Sequence, residues 1–229
     1  MSTLLTLTRP DGQSLNAHLF EPGTALPGQP GLVLIQEWWG VDTAIQEVGQ
    51  RLADAGYTVL LPDLYRGQLT TDPDVAGQLM NALDKRDAAT QDVAAAVQWF
   101  KQQGRRVGVM GFCMGGALTL AAAAHLPQID AAVCFYGIPG TDVAQVADIR
   151  VPLQGHFALQ DGWCTPDAAR GVQATLWQAG QHPDFYFYPV QHAFFNHRRA
   201  DVHDPAQAQL AWQRVQGFCA QHLVPREPA

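Results

Sequence analysis

Hydrophobic positions along this chain fall into short continuous runs separated by amphipathic stretches. Leu32 to Ile35, Val107 to Met110, Ile129 to Tyr136 and Val151 to Phe157 are nearly unbroken, the pattern of strands covered on both faces. Tyr57 to Pro62 and the aromatic Asp184 to Pro189 read as two more strands. Between them the spacing changes to that of helices. Ile45, Val48 and Leu52 share one face of a segment from Asp42 to Ala55, and Val93, Ala96, Val97 and Phe100 share one of Ala88 to Gln102. Further helices are predicted from Pro166 to Ala179 and from Pro205 to His222, the latter with Leu210, Val215 and Phe218 inward. Residues 3 to 20 alternate around Arg9-Pro10-Asp11-Gly12, a hairpin for one edge of the sheet. Glu21 to Gly31, rich in Pro and Gly, is a connection, and Thr70 to Lys85 reads as a short helix in a loop able to cover a site. Strands alternating with helices predict an α/β fold: a mostly parallel sheet of about eight strands with helices on both faces, in one domain spanning 1–229.

The stretch that organises the rest is Arg105 to Ala124. Its apolar run enters Gly111-Phe112-Cys113-Met114-Gly115-Gly116 and leaves as an almost uncharged helix. Glycines two before and two after Cys113 fit the tight strand-to-helix turn of the G-x-S-x-G type, here with a thiol at the nucleophile position. A helix starting at that turn is expected to lower the thiol pKa and to offer N–H groups to an oxyanion. A small core cysteine beside a glycine turn has the same local pattern, so the partners decide.

Composition narrows the choices. The 229 residues suffice for one α/β domain, and a net charge of −7 with no basic run argues against a nucleic-acid partner. No apolar stretch approaches a membrane span, and the N-terminal residues do not read as a signal peptide, so a cytoplasmic location is expected. Cys113, Cys134, Cys164 and Cys219 form no C-x-x-C pair, which points to reduced thiols rather than disulfides or a zinc knuckle. His197 and His203 match no compact ligand spacing, so neither a metal nor a cofactor is expected. With Arg198 and Arg199 they read as a solvated loop face, with room for one cation to reach an anionic substrate.

A thiol nucleophile needs a base, and the base an orienting group. Asp161 follows the run Val151 to Phe157, and His192 follows the aromatic strand. The order Cys113, Asp161, His192 is the nucleophile, acid, histidine order of the α/β-hydrolase fold. Asp161 also suits a turn with Gly162 or a helix cap, and His192 is one of eight histidines. Glu37 ends the buried strand at Ile35 beside Trp38 and Trp39, where open α/β sheets bind ligands.

Together, Gln36-Glu37-Trp38-Trp39-Gly40-Val41, the Cys113 turn, the late Asp161 and His192-Ala193-Phe194-Phe195-Asn196 resemble the dienelactone hydrolase (carboxymethylenebutenolidase) family of α/β-hydrolases, over nearly the whole chain. The resemblance implies Cys113 as nucleophile, His192 as general base and later acid, and Asp161 as its orienting carboxylate. It implies that Glu37 contacts the resting thiol, and that backbone N–H groups of Met114 and Trp38 hold the oxyanion. An ester or lactone would then pass through a thioester on Cys113. The chain departs from the family at the substrate. Well-known members grip a carboxylate with arginines on the covering segment and four residues after the histidine; here no Arg or Lys lies between Gly67 and Lys85, and the latter position is Asn196. Arg198 or Arg86 is a replacement charge by position, and Trp38, Trp39, Phe194 and Phe195 suggest an apolar pocket. The expected partner is a small-molecule ester or lactone, with the chain a monomer or weak homo-oligomer. Two other readings stay open: a glutamine amidotransferase-like cysteine hydrolase, and a catalytically inactive α/β-hydrolase serving as a scaffold.

Overall fold

Strands β3 (Gly31–Ile35), β4 (Thr58–Pro62), β5 (Val107–Phe112) and β6 (Ala131–Phe135) are buried along their entire length, because helices cover both faces of the sheet they form. The computed structural model describes residues 2–24 and 28–224; the expected 21–31 connection therefore falls partly, at 25–27, outside the described residues. β1 (Thr3–Thr8) and β2 (Ser14–Phe20) make the expected antiparallel edge hairpin, and β7 (Leu153–Gln160) and β8 (Asp184–Gln191) close the other side. The eight-stranded order is β1-β2-β4-β3-β5-β6-β7-β8, parallel from β4 to β8. Connections run outward from β3 to β4 and then cross back to β5. The switch point, with its crevice at the carboxyl ends, thus lies between β3 and β5. The architecture is that of an α/β-hydrolase.

One face of the sheet packs on α1 (Thr43–Asp54) and α7 (Pro205–Leu223), through Ile45, Val48 and Leu52 from the first and Trp212, Val215 and Phe218 from the second. The other face packs on α4 (Ala94–Lys101), α5 (Met114–His125) and α6 (Pro166–Gln178). Helix α5 is apolar on every side and is accordingly buried. Helix α2 (Pro73–Ala82) forms the covering segment, capped by Asp72.

Two expectations change. Leu210 is 37% exposed; Ala208, Ala211 and Trp212 form that part of the inner face instead, the bulk of Trp212 filling the space against the sheet. The helix expected over 88 to 102 starts as α3 (Lys85–Asp87), widens into a π-helical turn at Ala88–Val93, and only then becomes α4. The wide turn carries Asp92 inward, fully buried, where it takes Arg9 at 3.1 Å and both guanidinium nitrogens of Arg66 at 2.9 and 3.0 Å. Arg66 belongs to the loop after β4, whose Tyr65 hydroxyl donates to Met114 Sδ at 3.3 Å.

Candidate active site

Cys113 stands between β5 and α5 with φ 54° and ψ −116°, a left-handed conformation that costs a non-glycine residue energy and is held by its surroundings. Strand and helix meet there at backbone contact. A methyl on Gly115 would lie 2.5 Å from the carbonyls of Ile35 and Gln36 in β3 and its exit, and one on Gly111 would run into the Gly115 carbonyl. The Cys113 N–H donates to Phe135 O at 3.0 Å, tying the turn to β6.

The expected lowering of the thiol pKa is overturned. Burial pushes Cys113 well above the ordinary thiol range, the carboxyls of Glu37 and Asp161 push the same way, and the Met114 N–H opposes them. Cys113 is 6% exposed, and at that depth desolvation outweighs the field of the helix start.

Asp161 and His192 leave the carboxyl ends of the neighbouring strands β7 and β8, and Nδ1 of His192 lies 2.6 Å from Asp161 Oδ2. The other carboxylate oxygen, Oδ1, accepts the N–H groups of Trp163 and Cys164, both at 2.8 Å, so the acid is fixed before it orients the ring. The His192 ring packs edge-on against Tyr136, centroids 4.9 Å apart, and against Trp163 at 5.7 Å.

Glu37, past β3, is buried, and Asn196 Nδ2 donates to its Oε2 at 2.7 Å while the Tyr136 hydroxyl reaches Oε1 at 3.4 Å. These are its hydrogen-bond partners among the described residues; its effect on the thiol is electrostatic. Burial raises the Glu37 carboxyl, against the lowering by the Asn196 bond. Tyr136, with φ 37° just past β6, was not singled out from the sequence. The one available signal was its place at a strand's carboxyl end.

The sequence model of the dienelactone hydrolase family matches residues 15–223. This chain belongs to the dienelactone hydrolase family. It is 36% identical over 211 residues to the protein usf of Aquifex pyrophilus, covering 86% of this chain and 90% of that one. It is 34% identical over 205 residues to an Aquifex aeolicus protein provisionally named carboxymethylenebutenolidase, covering 85% and 89%. A Klebsiella pneumoniae crystal structure described provisionally as a dienelactone hydrolase superposes with a TM-score of 0.86 at 25% identity, over 97% of this chain and 99% of the other. Membership of the dienelactone hydrolase family makes the protein a hydrolase of the ester and lactone type, with a small-molecule substrate.

The candidate groups share one space. Cys113, Asp161, His192, Glu37, Trp38 and Trp39 all line one cavity of about 420 Å³ at the switch point. Met80 of α2, Trp163, Ala193 and Val202 add to its apolar wall; Gln160 and Gln191 are polar members not expected from the sequence, and Arg199 is the cation of the 197–203 loop that reaches it. Five expected substrate contacts lie elsewhere, among them Phe195, buried in the core, and Arg86, beside a separate pocket. Phe194, in the turn after β8, is fully buried in the core, 5.7 Å from the Tyr136 ring and 5.0 Å from that of Tyr188. Arg198 turns outward to Glu47, which also takes His197 at 2.6 Å. Asn196 is spent on Glu37 and borders two adjoining pockets, one an about 20 Å³ crevice, room for a single water. Among the described residues no helix is long and apolar enough to cross a membrane.

Proposed function

We propose that the protein is a cysteine-dependent hydrolase of small esters or lactones, acting through Cys113, His192 and Asp161 and a thioester acyl-enzyme. The observation that carries this is the pairing of a backbone-strained cysteine at a helix start with an Asp161-anchored imidazole in the wall of the same cavity. As Sγ bonds to the substrate carbonyl carbon, the thiol proton passes to His192 Nε2 and the carbonyl oxygen becomes an oxyanion. The N–H groups of Met114 and Trp38 receive that charge, and Asp161 stabilises the imidazolium. Collapse breaks the ester C–O bond, and the imidazolium proton goes to the leaving oxygen; in a lactone that oxygen stays tethered. Water, deprotonated by His192, then cleaves the thioester, releasing the acid and restoring the thiol.

In this reading the high thiol pKa is protective. Burial and the Glu37 carboxyl keep sulfur protonated at rest, so a reactive thiolate forms only when His192 and substrate are both in place. Four unpaired, buried cysteines suit a reducing compartment, and we assign the protein to the cytosol. A glutamine amidotransferase-like reading loses support because the acid holding His192 comes from β7, not from two residues further on, where Phe194 stands.

The test is acid-quenched mass spectrometry after mixing with p-nitrophenyl acetate. An acetyl adduct confined to Cys113 and released by hydroxylamine is the expected result, with Cys113→Ala giving neither adduct nor more than about a tenth of the rate. Turnover without an adduct, or an adduct elsewhere, would remove the mechanism, and no turnover of any ester would favour an inactive scaffold.

A further inference from the structure

The cavity's electrostatics point to the kind of substrate it selects. Among the described residues, Arg199 is its one lysine or arginine, and that guanidinium is already engaged. Nε lies 2.9 Å from Asp201 Oδ1 and Nη2 2.6 Å from Asp201 Oδ2, a two-pronged pair that uses the geometry with which arginine grips a carboxylate. The backbone pre-forms the pair. Arg199 N–H donates to Asn196 O at 3.0 Å, while Val202 and His203 donate back to Arg199 O at 3.0 and 2.8 Å. The next cation along the chain, Arg198, is held by Glu47 outside the cavity.

We propose that Asp201 is a specificity-determining residue: by occupying Arg199 it makes the reactive cavity select uncharged esters or lactones over those carrying a carboxylate. This rests on the hydrolase reading above and deepens it. A substrate carboxylate meets a guanidinium whose charge Asp201 already offsets: it displaces Asp201 or takes the remaining Nη1 edge, and either way it sits close to that carboxylate in a wall that also contains Glu37 and Asp161. A neutral substrate leaves the pair intact and meets the indoles of Trp38, Trp39 and Trp163 and the thioether of Met80. Both partners are partly exposed, at 38% and 60%, so water screens the effect and it is modest.

Selectivity is measured as the ratio of kcat/KM for mono-p-nitrophenyl adipate to that for p-nitrophenyl hexanoate, two acyl chains of equal length that differ by the terminal carboxylate. Wild type is expected to favour the hexanoate. Asp201→Asn should raise the adipate-to-hexanoate ratio about twofold to fivefold, Asp201→Ala should do likewise, and adding Arg199→Gln to either should cancel the gain. A wild-type preference for the adipate, or a ratio that moves less than twofold in both variants while Cys113 is still acylated, overturns the inference and leaves the hydrolase intact. If neither ester acylates Cys113 in wild type, both fall together.

Discussion

His156 offers a measurement of how firmly the floor of the site is built. It is fully buried in β7, and its ring stacks at 4.4 Å on Phe135, whose carbonyl holds the Cys113 N–H. Nε2 donates to Gln154 Oε1 at 2.9 Å, and Nδ1 accepts from the Tyr188 hydroxyl at 2.7 Å, which in turn accepts from Arg214 at 3.0 Å. A neutral ring satisfies every group in that chain. A second ring proton would face the tyrosine hydroxyl proton, with Arg214 close by. Burial and Arg214 accordingly push His156 down from 6.5 to about 3. The folded-state pKa is lowered, so between these values the unfolded chain binds the proton and the native one does not; stability is lost as pH falls from 6.5 toward 3. From those two values the loss between pH 7 and pH 4 is about 3 kcal/mol, a sizeable share of a typical 5–15. Denaturant unfolding of wild type and His156→Gln at both pH values isolates this contribution, because the glutamine does not titrate. The variant should lose about 3 kcal/mol less than wild type over that interval. Equal losses would refute the account of His156 as a neutral, fully satisfied ring.

His192→Ala should lower kcat on the order of 10³-fold, with Asp161→Asn next in severity; an equal loss in His203→Ala but none in His192→Ala would mean that the base is misassigned. Because burial first and Glu37 second hold the Cys113 thiol up, Glu37→Gln should shift its iodoacetamide pH profile to lower pH by part of the displacement only; an unmoved profile would place the carboxyl electrically out of reach. Gly115→Ala forces a methyl against the Ile35 and Gln36 carbonyls and should cost about 1–3 kcal/mol together with most activity. Full activity in that variant would show that the close approach is dispensable.

Much of this was legible in the chain because backbone position alone fixes it. Runs such as Leu32–Ile35 and Val107–Met110 specify buried parallel strands, and residues just past strand ends must gather at one rim, which is how Cys113, Asp161, His192 and Glu37 come to line one cavity. What escaped depends on side-chain direction and depth. Arg198 and Arg199 are adjacent in sequence but one faces Glu47 and the other the cavity, a difference set by the turn from Asn196 to Asp204. Phe194 has the side chain of a pocket residue and the burial of a core one. The thiol pKa went the other way because a motif reveals the helix start but not how far sulfur is removed from water. The π-helical turn left no mark in a periodicity count, since Val93 is its one large apolar residue.

That turn also changes how the N-terminus of this chain should be regarded. The match to the family model begins at residue 15, so β1 and Arg9 precede it. Yet Arg9 grips Asp92, Asp92 grips Arg66, and Arg66 sits in the loop that rests Tyr65 on Met114, the residue next to Cys113. The hairpin at the edge of the sheet is thus moored through two ionic links and a hydrogen bond to the underside of the Cys113 turn. Trimming the chain to residues 15–223 would unfasten that loop along with an edge strand.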